Sequence, residues 1–374
     1  MDGFPPLSDV IHQDTPLMQS ALAEAQKGIG LTAPNPCVGA VIAKDNVVLA
    51  RGWHHATGHA HAEVDAIQQL TSRDQAKDAT LYVTLEPCST HGRTPPCTQA
   101  IIHAGFRRVV VACLDPNPLH SGKGIQILRD AKIETTWGVL EPEALWINRA
   151  FFKRITTGLP WVIWKCAMTL DGKISLHHGQ PSKITSEPSL IDTHRLRNEV
   201  DAIIIGAETA RIDNPELTIR RVPPVPGKLQ PWRVVISSGK NGPLPENLRL
   251  FNDAHRKRTL LHVGKPLRES LQELGELGVN TVLLEGGGTL SGAFFDEGLI
   301  DEACVYIAPL LAGAAPSAIK TSCESNPLSS NRFRWIHHTR TGEDLRIRGI
   351  LSRWIPERLD PENGSRIPLP DFRE

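Results

Sequence analysis

The sequence lacks an excess of charge of either sign, because its 374 residues contain 41 Lys and Arg against 41 Asp and Glu. A chain with balanced charge produces no net field that would draw it toward nucleic acid or an anionic lipid surface. We therefore expect neither a nucleic-acid partner nor a membrane partner.

Long apolar runs and a secretory signal are also missing. No apolar run reaches the length that spans a membrane, and the N-terminal Met1-Asp2-Gly3-Phe4-Pro5-Pro6 has neither a basic region nor an apolar one. The chain has 7 cysteines, an odd number that argues against a disulfide scaffold and favours a reducing compartment. We expect a cytoplasmic protein.

The length and the order of the predicted elements indicate more than one domain. A chain of 374 residues is too long for one ordinary hydrophobic core. Between residues 17 and 138, helices and strands alternate, which predicts an α/β sandwich. The predicted helices cover 17–26, a segment beginning at 61, and 98–103, and the predicted strands cover 38–43, 47–51, 81–83 and 109–112. A helical connector over about 141–156 then leads out of this domain.

The motif with the clearest chemical meaning is His61-Ala62-Glu63, followed downstream by Cys88 and Cys97. One imidazole nitrogen and two thiolates suit a zinc ion, and they leave a fourth tetrahedral position for a water molecule that the metal can acidify. The spacing of His61 and Glu63 places both at the start of a helix, with the carboxylate near that water. We predict that His61, Cys88 and Cys97 bind zinc and that Glu63 is the catalytic proton shuttle.

This arrangement is the signature of zinc-dependent nucleobase deaminases, with one departure in its spacing. Eight residues separate Cys88 from Cys97, where the generic motif has two. The segment from Thr84 to Cys97 resembles the pattern T-L-E-P-C-x-x-x-G-R-T-P-P-C, which belongs to the deaminase half of the bifunctional riboflavin-biosynthesis deaminase-reductases.

Two other motifs match that family in the expected order: Pro34-Asn35-Pro36 and Asp115-Pro116-Asn117-Pro118. The second motif is also typical of an ordinary turn, so both interpretations of it stay open. The resemblance implies a cytidine-deaminase-like α/β/α sandwich over residues 1–150. It further implies that Asn35, His54 and His91 contact the substrate.

The second half of the chain again alternates strands and helices. The predicted strands cover 161–165, 202–205, 233–236, 259–263 and 281–284, and the predicted helices cover 188–199 and 267–277. The last strand runs into Glu285 and then Gly286-Gly287-Gly288. Backbone N–H groups in such a turn can approach a phosphate closely, but the same glycines also suit a plain strand-to-helix turn, and the run is not the G-x-G-x-x-G fingerprint.

The resemblance extends over this second half and favours the phosphate interpretation. Segments at 168–173, 206–209, 213–220 and 285–288 are similar to the reductase domain of the same family, which has a dihydrofolate-reductase-like α/β fold and uses NADPH. The resemblance implies such a domain over residues 158–350. The implied cofactor contacts are Ala167, Thr209, Asp213, Ser238, Gly286, Gly287 and Gly288. The implied substrate contacts are Arg197, Leu217, Arg220 and Glu285.

Residue chemistry adds two expectations for the reductase. Arginine holds phosphate with its planar fork, so the two implied arginine contacts, Arg197 and Arg220, suit the phosphoribosyl end of the substrate. Taken alone, Arg197 is also typical of an exposed charge on a helix. Either Asp213 or Glu285 is expected to supply a proton. The chain departs from the family at Lys183, where the family often has tryptophan, and residues 351–374 form a Pro- and charge-rich tail of unknown role.

The resemblance implies a bifunctional, homo-oligomeric enzyme that uses Zn²⁺ and NADPH. It would deaminate 2,5-diamino-6-(5-phosphoribosylamino)pyrimidin-4(3H)-one and then reduce the ribosyl chain to ribityl. Two other functions share parts of this pattern. A deaminase of another nucleobase or of nucleic acid, with an accessory domain, conflicts in its nucleic-acid form with the absence of basic excess. A non-catalytic zinc module would need four protein ligands, whereas the motif supplies three and an acid.

Overall fold

The computed structural model describes residues 7–90, 95–117, 120–321, 333–351, 357–359 and 366–368. The chain divides into two compact units, with the division between Thr156 and Thr157. Each unit contains its own large sheet. Within the described ranges, no helix is both long and apolar enough to cross a membrane.

The first unit is built on a five-stranded sheet. Its strands are β1 (Gly39–Lys44), β2 (Val47–Trp53), β3 (Thr80–Leu85), β4 (Arg108–Cys113) and β5 (Glu134–Trp137). They lie in the order β2-β1-β3-β4-β5, antiparallel between β2, β1 and β3 and parallel from β3 to β5. The strands predicted over 38–43, 47–51, 81–83 and 109–112 are confirmed, and the first two form an antiparallel hairpin.

The described residues of this part of the chain form the α-helices α1 (Leu7–Gln26), α2 (Ala62–Gln68), α3 (Cys97–Ala104), α4 (Lys123–Asp130) and α5 (Glu141–Thr157). Strands β1, β3 and β4 are buried along nearly their whole length. Strands buried on both faces need a covering layer on each side, so the α/β/α sandwich expected from the sequence is confirmed.

Helix α2 packs directly on β2 at Gly52. A Cβ atom at this position would lie 2.3 Å from the backbone nitrogen of Ala66 and 2.6 Å from the carbonyl oxygen of Ala62. Only glycine allows so close an approach. The contact sets the position of His61, because His61 is the N-cap residue of α2.

Helix α5 is anchored in the first unit by Asn148. The buried Asn148 amide accepts the backbone N–H of Cys37 at 2.8 Å and donates to the carbonyl oxygen of Cys37 at 2.8 Å. These two bonds join α5 to the loop that carries Asn35. The segment expected to be a connector is therefore also a structural part of the first unit.

The second unit is built on an eight-stranded sheet. Its strands are β6 (Trp161–Thr169), β7 (Ala202–Gly206), β8 (Trp232–Ser237), β9 (Thr259–Val263), β10 (Thr281–Leu284), β11 (Glu302–Ala308), β12 (Arg334–Thr341) and β13 (Asp344–Ile350). Its helices are α6 (Glu187–Glu199), α7 (Ala207–Asp213), α8 (Arg249–Asn252), α9 (Leu267–Glu276) and α10 (Gly288–Asp296). Every strand predicted between 161 and 284 is confirmed.

The strand order in this sheet is β12-β13-β11-β6-β10-β7-β8-β9. The strands from β11 to β9 in this order are parallel to one another, whereas the β11–β13 and β13–β12 pairs are antiparallel and form one edge. Parallel strands direct their C-terminal ends to one edge of the sheet, where ligands of open α/β sheets bind. That edge carries most of the residues implied to bind the cofactor.

Strands β11 to β13 have no counterpart in the sequence-based prediction. Strand β11 begins with Glu302, a charge that a sequence pattern places at the surface, yet this residue is 1% exposed. Its carboxylate accepts the indole N–H of Trp161 at 2.9 Å and pairs with Arg348 of β13. Glu302 is buried because Trp161 and Arg348, which are distant in sequence, bind its carboxylate, and a local sequence pattern does not show this.

The C-terminal segment, expected to be a tail, contains two short antiparallel strands, β14 (Glu357–Leu359) and β15 (Arg366–Pro368). They group with the first unit. The rest of the segment from 352 onward lies outside the described residues.

Candidate active sites

The three predicted zinc ligands lie together in the first unit. The Nδ1 atom of His61 is 3.2 Å from Sγ of Cys97 and 3.5 Å from Sγ of Cys88, and all three ligand atoms lie within 4.8 Å of one another. Among the described residues, this is the one group of three or more His, Cys, Asp or Glu side chains with such spacing. One nitrogen and two sulfur donors fit a zinc ion and leave a fourth position open.

Secondary structure places each ligand. His61 precedes α2, Cys97 is the first residue of α3, and Cys88 follows β3. The backbone N–H of Cys97 donates to Sγ of Cys88 at 3.3 Å. Hydrogen bonds from Cys97 and His61 lower the pKa of the Cys88 thiol to about 4. A thiolate is the form of cysteine that binds metal.

Glu63 lies beside these ligands but is not one of them. Its side chain is buried on α2. Burial, with a further contribution from the negative charge of Cys88, raises the pKa of the Glu63 carboxyl to about 7. A carboxyl group with such a pKa can both take up and release a proton near neutral pH.

Asn35 and His54 lie next to the metal-ligand group. Nδ1 of the buried His54 donates to the carbonyl oxygen of Ala60 at 3.0 Å, and Nε2 accepts from the Asn35 amide at 3.0 Å. Burial lowers the pKa of His54, which favours the neutral ring, and the two hydrogen bonds select its tautomer. The rings of His54 and His61 are nearly perpendicular, 5.4 Å apart. The predicted substrate residue His91 lies outside the described residues.

Glu86 is a site residue that the sequence analysis did not single out. Its buried carboxylate accepts four backbone N–H bonds of 2.8 to 3.3 Å, from the loop that leads into α4 and from the first turn of that helix. The donors are Asp115, Gly122, Gly124 and Ile125. Glu86 thus connects the Asp-Pro-Asn-Pro motif to the end of β3, close to Cys88. A glutamate directly after a buried apolar strand is the sequence feature that could have indicated this role.

The Asp115 side chain makes a turn contact of its own. Its Oδ1 accepts the backbone N–H of Asn117 at 2.8 Å, which is the bond of an Asx turn. This bond favours the structural interpretation of the motif for Asp115.

In the second unit, the residues implied to bind the cofactor collect at the C-terminal edge of the parallel strands. Ala167 lies near the end of β6, Thr209 in the first turn of α7 after β7, and Ser238 directly after β8. The glycine turn follows β10. Asp213 is the last residue of α7, exposed at its far end, and desolvation raises the pKa of its carboxyl.

The three turn glycines differ in the space around them. A Cβ at Gly288 would lie 2.2 Å from the carbonyl oxygen of Ser317, so this position excludes any other residue. A Cβ at Gly287 would meet only Oγ1 of Thr209, at 3.5 Å, which is an ordinary contact. Gly287 is the N-cap of α10, with φ −69°. It therefore leaves open space beside a helix N-terminus, which is what an approaching phosphate needs.

Arg197 and Glu285 are brought together across the unit. Nε and Nη2 of Arg197 donate to the two carboxylate oxygens of Glu285 at 2.7 and 2.8 Å, and Nη1 donates to the carbonyl oxygen of Thr218 at 3.1 Å. Burial acts to raise the pKa of Glu285, but the charges and hydrogen bonds of Arg197, with a contribution from Lys165, hold it below its usual range. The Arg197 guanidinium, which was expected to bind the substrate, therefore already binds Glu285 and Thr218.

Leu217 and Arg220 lie on the irregular segment after α7. Leu217 is buried with φ +51°, a left-handed conformation that is rare for a bulky residue. The Arg220 side chain is 45% exposed and contacts Glu216 at 3.5 Å and Oγ1 of Thr218 at 3.3 Å. Lys183, at the departure from the family, is exposed and pairs with Glu187 at 3.4 Å.

A cavity of about 580 Å³ lies at the C-terminal ends of β8 and β9, next to Ser238. Its walls are largely apolar, with one carboxylate. The lining side chains include Pro243, Leu244, Phe251, Leu261, Val263 and Glu246. A flat, mostly apolar ring system of a ligand fits such a cavity.

Comparison with known proteins covers both units. Residues 11–113 match the cytidine and deoxycytidylate deaminase zinc-binding region, and residues 160–347 match the RibD C-terminal domain. The riboflavin biosynthesis protein RibD of Aquifex aeolicus is 41% identical over 318 residues, covering 80% of this chain and 88% of that protein. RibD of Escherichia coli is 39% identical over 330 residues, with 81% and 89% covered.

Solved structures agree with the sequence comparison. Acinetobacter baumannii RibD superimposes with a TM-score of 0.84 at 36% identity, covering 91% of this chain and 99% of that one. A diaminohydroxyphosphoribosylaminopyrimidine deaminase/5-amino-6-(5-phosphoribosylamino)uracil reductase of Thermotoga maritima gives 0.79 at 30% identity, with the same coverage. The chain belongs to the RibD family of bifunctional riboflavin-biosynthesis deaminase-reductases.

Proposed function

We propose that the chain removes the 2-amino group of 2,5-diamino-6-(5-phosphoribosylamino)pyrimidin-4(3H)-one as ammonia and then reduces the ribosyl chain to ribityl with NADPH. The observation that carries the first step is the group of His61, Cys88 and Cys97 beside the buried, non-ligating Glu63. The Thermotoga maritima relative is named for the same pair of reactions. We also propose that the two reactions belong to residues 1–150 and 158–350.

In the deaminase, His61, Cys88 and Cys97 would hold zinc. A bound zinc ion supplies Lewis-acid chemistry that makes water a nucleophile near neutral pH. Glu63 takes a proton from the attacking water on its carboxylate and returns it to the departing amine nitrogen, so the same oxygen atoms serve both transfers. The pKa of about 7 suits this double role.

Asn35 and His54 orient the pyrimidine in this proposal. The His54 ring is held by Ala60 and by the Asn35 amide, so it stays neutral and fixed. A neutral, pre-oriented pair beside the ligand group can position a ring without adding charge to the site. His91 remains a predicted contact of the same substrate.

In the reductase, the NADPH pyrophosphate would lie at the open space of Gly287, against the N-terminus of α10 and beside Thr209. The apolar cavity next to Ser238 fits the adenine ring. Ala167 on β6 would face the nicotinamide end. Bound NADPH supplies the hydride that forms the new C–H bond at the sugar C1.

The reduction also requires a proton for the sugar ring oxygen as its bond to C1 breaks. Glu285 is held as a carboxylate by Arg197 and has no proton to give. Lys165 lies two residues before Ala167, on the same face of β6, and its positive charge acts on Glu285. We assign Lys165 as the proton donor, and Asp213, the other candidate from the sequence, is the alternative.

The substrate phosphate is assigned to Arg220 rather than to Arg197. The Arg197 fork is buried and occupied, whereas 45% of the Arg220 side chain is accessible and its contact with Glu216 is long. An exposed guanidinium can reorient to a phosphate at little cost. Arg197 then orders the substrate side of the site through Glu285 and Thr218.

The decisive experiment is a coupled assay on the diaminopyrimidine phosphate. Ammonia release followed by stoichiometric NADPH oxidation is expected. Cytidine, deoxycytidylate and single-stranded DNA serve as alternative amine substrates. Release of ammonia from one of these, with none from the diaminopyrimidine phosphate, would replace the proposal with the rival deaminase function.

The chain is also proposed to be a cytoplasmic homo-oligomer with no nucleic-acid partner. Light scattering on the purified protein measures its mass, and a single species of 41.1 kDa would contradict the oligomer. The balanced net charge supports the absence of a nucleic-acid partner.

A further inference from the structure

The segment of residues 216–220 has no helix or strand, yet side chains from elsewhere in the unit bind five of its backbone polar atoms. The carbonyl of Glu216 accepts from Arg233 at 3.0 Å and the carbonyl of Thr218 accepts from Arg197 at 3.1 Å. The Gln230 amide bonds to both the N–H and the carbonyl of Ile219, at 2.7 and 3.2 Å. The N–H of Arg220 donates to Nδ1 of His194 at 3.2 Å.

This set of side chains, His194, Arg197, Gln230 and Arg233, is here called the frame. Within the segment that these side chains hold, Leu217 is buried with φ +51°. A leucine stays in a left-handed conformation only when its surroundings determine it, and such positions concentrate at ligand-contact sites. The frame supplies that constraint, because it fixes the backbone on both sides of Leu217.

His194 is the member of the frame that touches Arg220 directly. It lies on α6 one turn before Arg197, with 4% of the residue exposed. Burial, and then the positive charges of Arg197 and Arg220, lower the pKa of the His194 ring to about 4. The ring is therefore neutral at physiological pH, and its Nδ1 atom is a hydrogen-bond acceptor, as the geometry requires.

We propose that His194 is a positioning residue of the reductase, whose unprotonated Nδ1 fixes the Arg220 backbone and thereby aims the Arg220 guanidinium at the phosphate of the pyrimidine substrate. Gln230 supports the same segment from the other side. The proposal rests on the proposed function in one respect, namely that Leu217 and Arg220 face the substrate. It assigns to His194 no contact with substrate or cofactor.

The test compares two substitutions at one position. Asparagine can place its carbonyl oxygen near the position of Nδ1, whereas leucine fills the space without an acceptor. His194→Leu is expected to raise KM for the deaminated pyrimidine phosphate by about tenfold or more, with kcat changed much less, since loss of an aimed charge–phosphate contact weakens binding. His194→Asn is expected to restore most of the wild-type KM.

Two readouts and a control variant separate positioning from loss of structure. NADPH affinity, measured by fluorescence titration, and ammonia release by the same protein are expected to stay at wild-type values in both variants. His338→Leu, an exposed histidine on β12, is the matched control. Where His194→Leu does not fold, Gln230→Met replaces it, because Gln230 is half-buried and its loss removes both bonds to Ile219.

An unchanged KM in a folded His194→Leu or Gln230→Met protein would overturn the proposal. So would a parallel loss of NADPH affinity, or a failure of asparagine to restore KM. A folded wild-type protein that oxidises no NADPH with the deaminated substrate would instead overturn the proposed reductase function, and the role of His194 with it.

Discussion

Arg197 and Glu285 form a buried bidentate ion pair, with nitrogen–oxygen distances of 2.7 and 2.8 Å between α6 and the end of β10. The pair consumes the guanidinium edge that would otherwise meet a phosphate, and it keeps Glu285 ionised. Both charges of this pair are therefore structural, and neither group is available to bind the substrate phosphate or to donate a proton.

Removing one partner of this pair should be costly. Arg197→Met leaves the Glu285 carboxylate buried without its cation, which is expected to lower the free energy of unfolding by about 3–5 kcal/mol. Arg197→Met combined with Glu285→Leu should recover much of this loss, because no charge then remains unpaired. Urea denaturation of the wild type, the two single variants Arg197→Met and Glu285→Leu, and the double variant measures the effect, and additive losses would show that the pair is not coupled.

The same pair predicts a pH dependence of stability. The pKa of Glu285 is lowered in the folded state, so its contribution to stability is complete above the ordinary glutamate pKa and is lost as the pH falls through the lowered folded-state value. Glu285→Gln should therefore flatten the acid limb of the stability curve relative to wild type. The free energy of unfolding is measured against pH for both proteins. Two curves that run parallel below the ordinary glutamate pKa would contradict this assignment.

Cys88→Ser should remove zinc and abolish ammonia release, because the ligand group would then keep one nitrogen and one thiolate. NADPH oxidation with the already deaminated substrate should survive, since its residues belong to the other unit. Metal analysis and the two separate assays check this. Loss of both activities in a folded protein would contradict two independent sites.

Glu63→Gln should retain zinc, because Glu63 is outside the group of ligand atoms. Ammonia release should fall by roughly 10²- to 10⁴-fold, since the amide cannot carry a proton. The zinc content of the purified variant is the informative control. A zinc-free Glu63→Gln protein would make Glu63 a ligand rather than a shuttle.

Gly287→Asp should weaken NADPH binding by about tenfold or more, because a carboxylate at the open position would repel the cofactor phosphate. The fold should tolerate it, since a Cβ there meets only Thr209 at 3.5 Å and aspartate is a favourable N-cap residue. Gly287→Asn has the same size without the charge and should weaken binding less. If both variants bind NADPH as tightly as the wild type, the glycine turn is only a strand-to-helix connection.

Glu86→Gln should destabilise the first unit. The amide keeps one acceptor oxygen where the carboxylate offers two, so donors of the loop over 115–125 lose their partner at a cost of about 1.5–3 kcal/mol. Zinc affinity should fall as well, because Cys88 lies two residues away. Thermal unfolding with and without added zinc measures both effects, and an unchanged midpoint in each condition would contradict the role.

The sequence by itself determined the family, the fold class and the metal-ligand group. His61 and Glu63 are two residues apart, and Cys88 and Cys97 belong to one continuous motif, so short-range pattern was sufficient to identify their chemistry. The central strands were predictable for the same reason, because a short, continuous apolar run such as 202–205 is typical of a strand that is buried on both faces. The individual contact roles assigned in the reductase stay predictions.

Only the tertiary structure decided which charged and polar groups pair. Arg197 and Glu285 are 88 residues apart, Cys37 and Asn148 are 111 apart, and Trp161 and Glu302 are 141 apart. His194 was assigned no role from the sequence, and nothing there indicates that Arg220 donates to it. A polar side chain can satisfy its hydrogen bonds with many partners, and the choice among them is made by strand order and helix packing, which no local pattern contains.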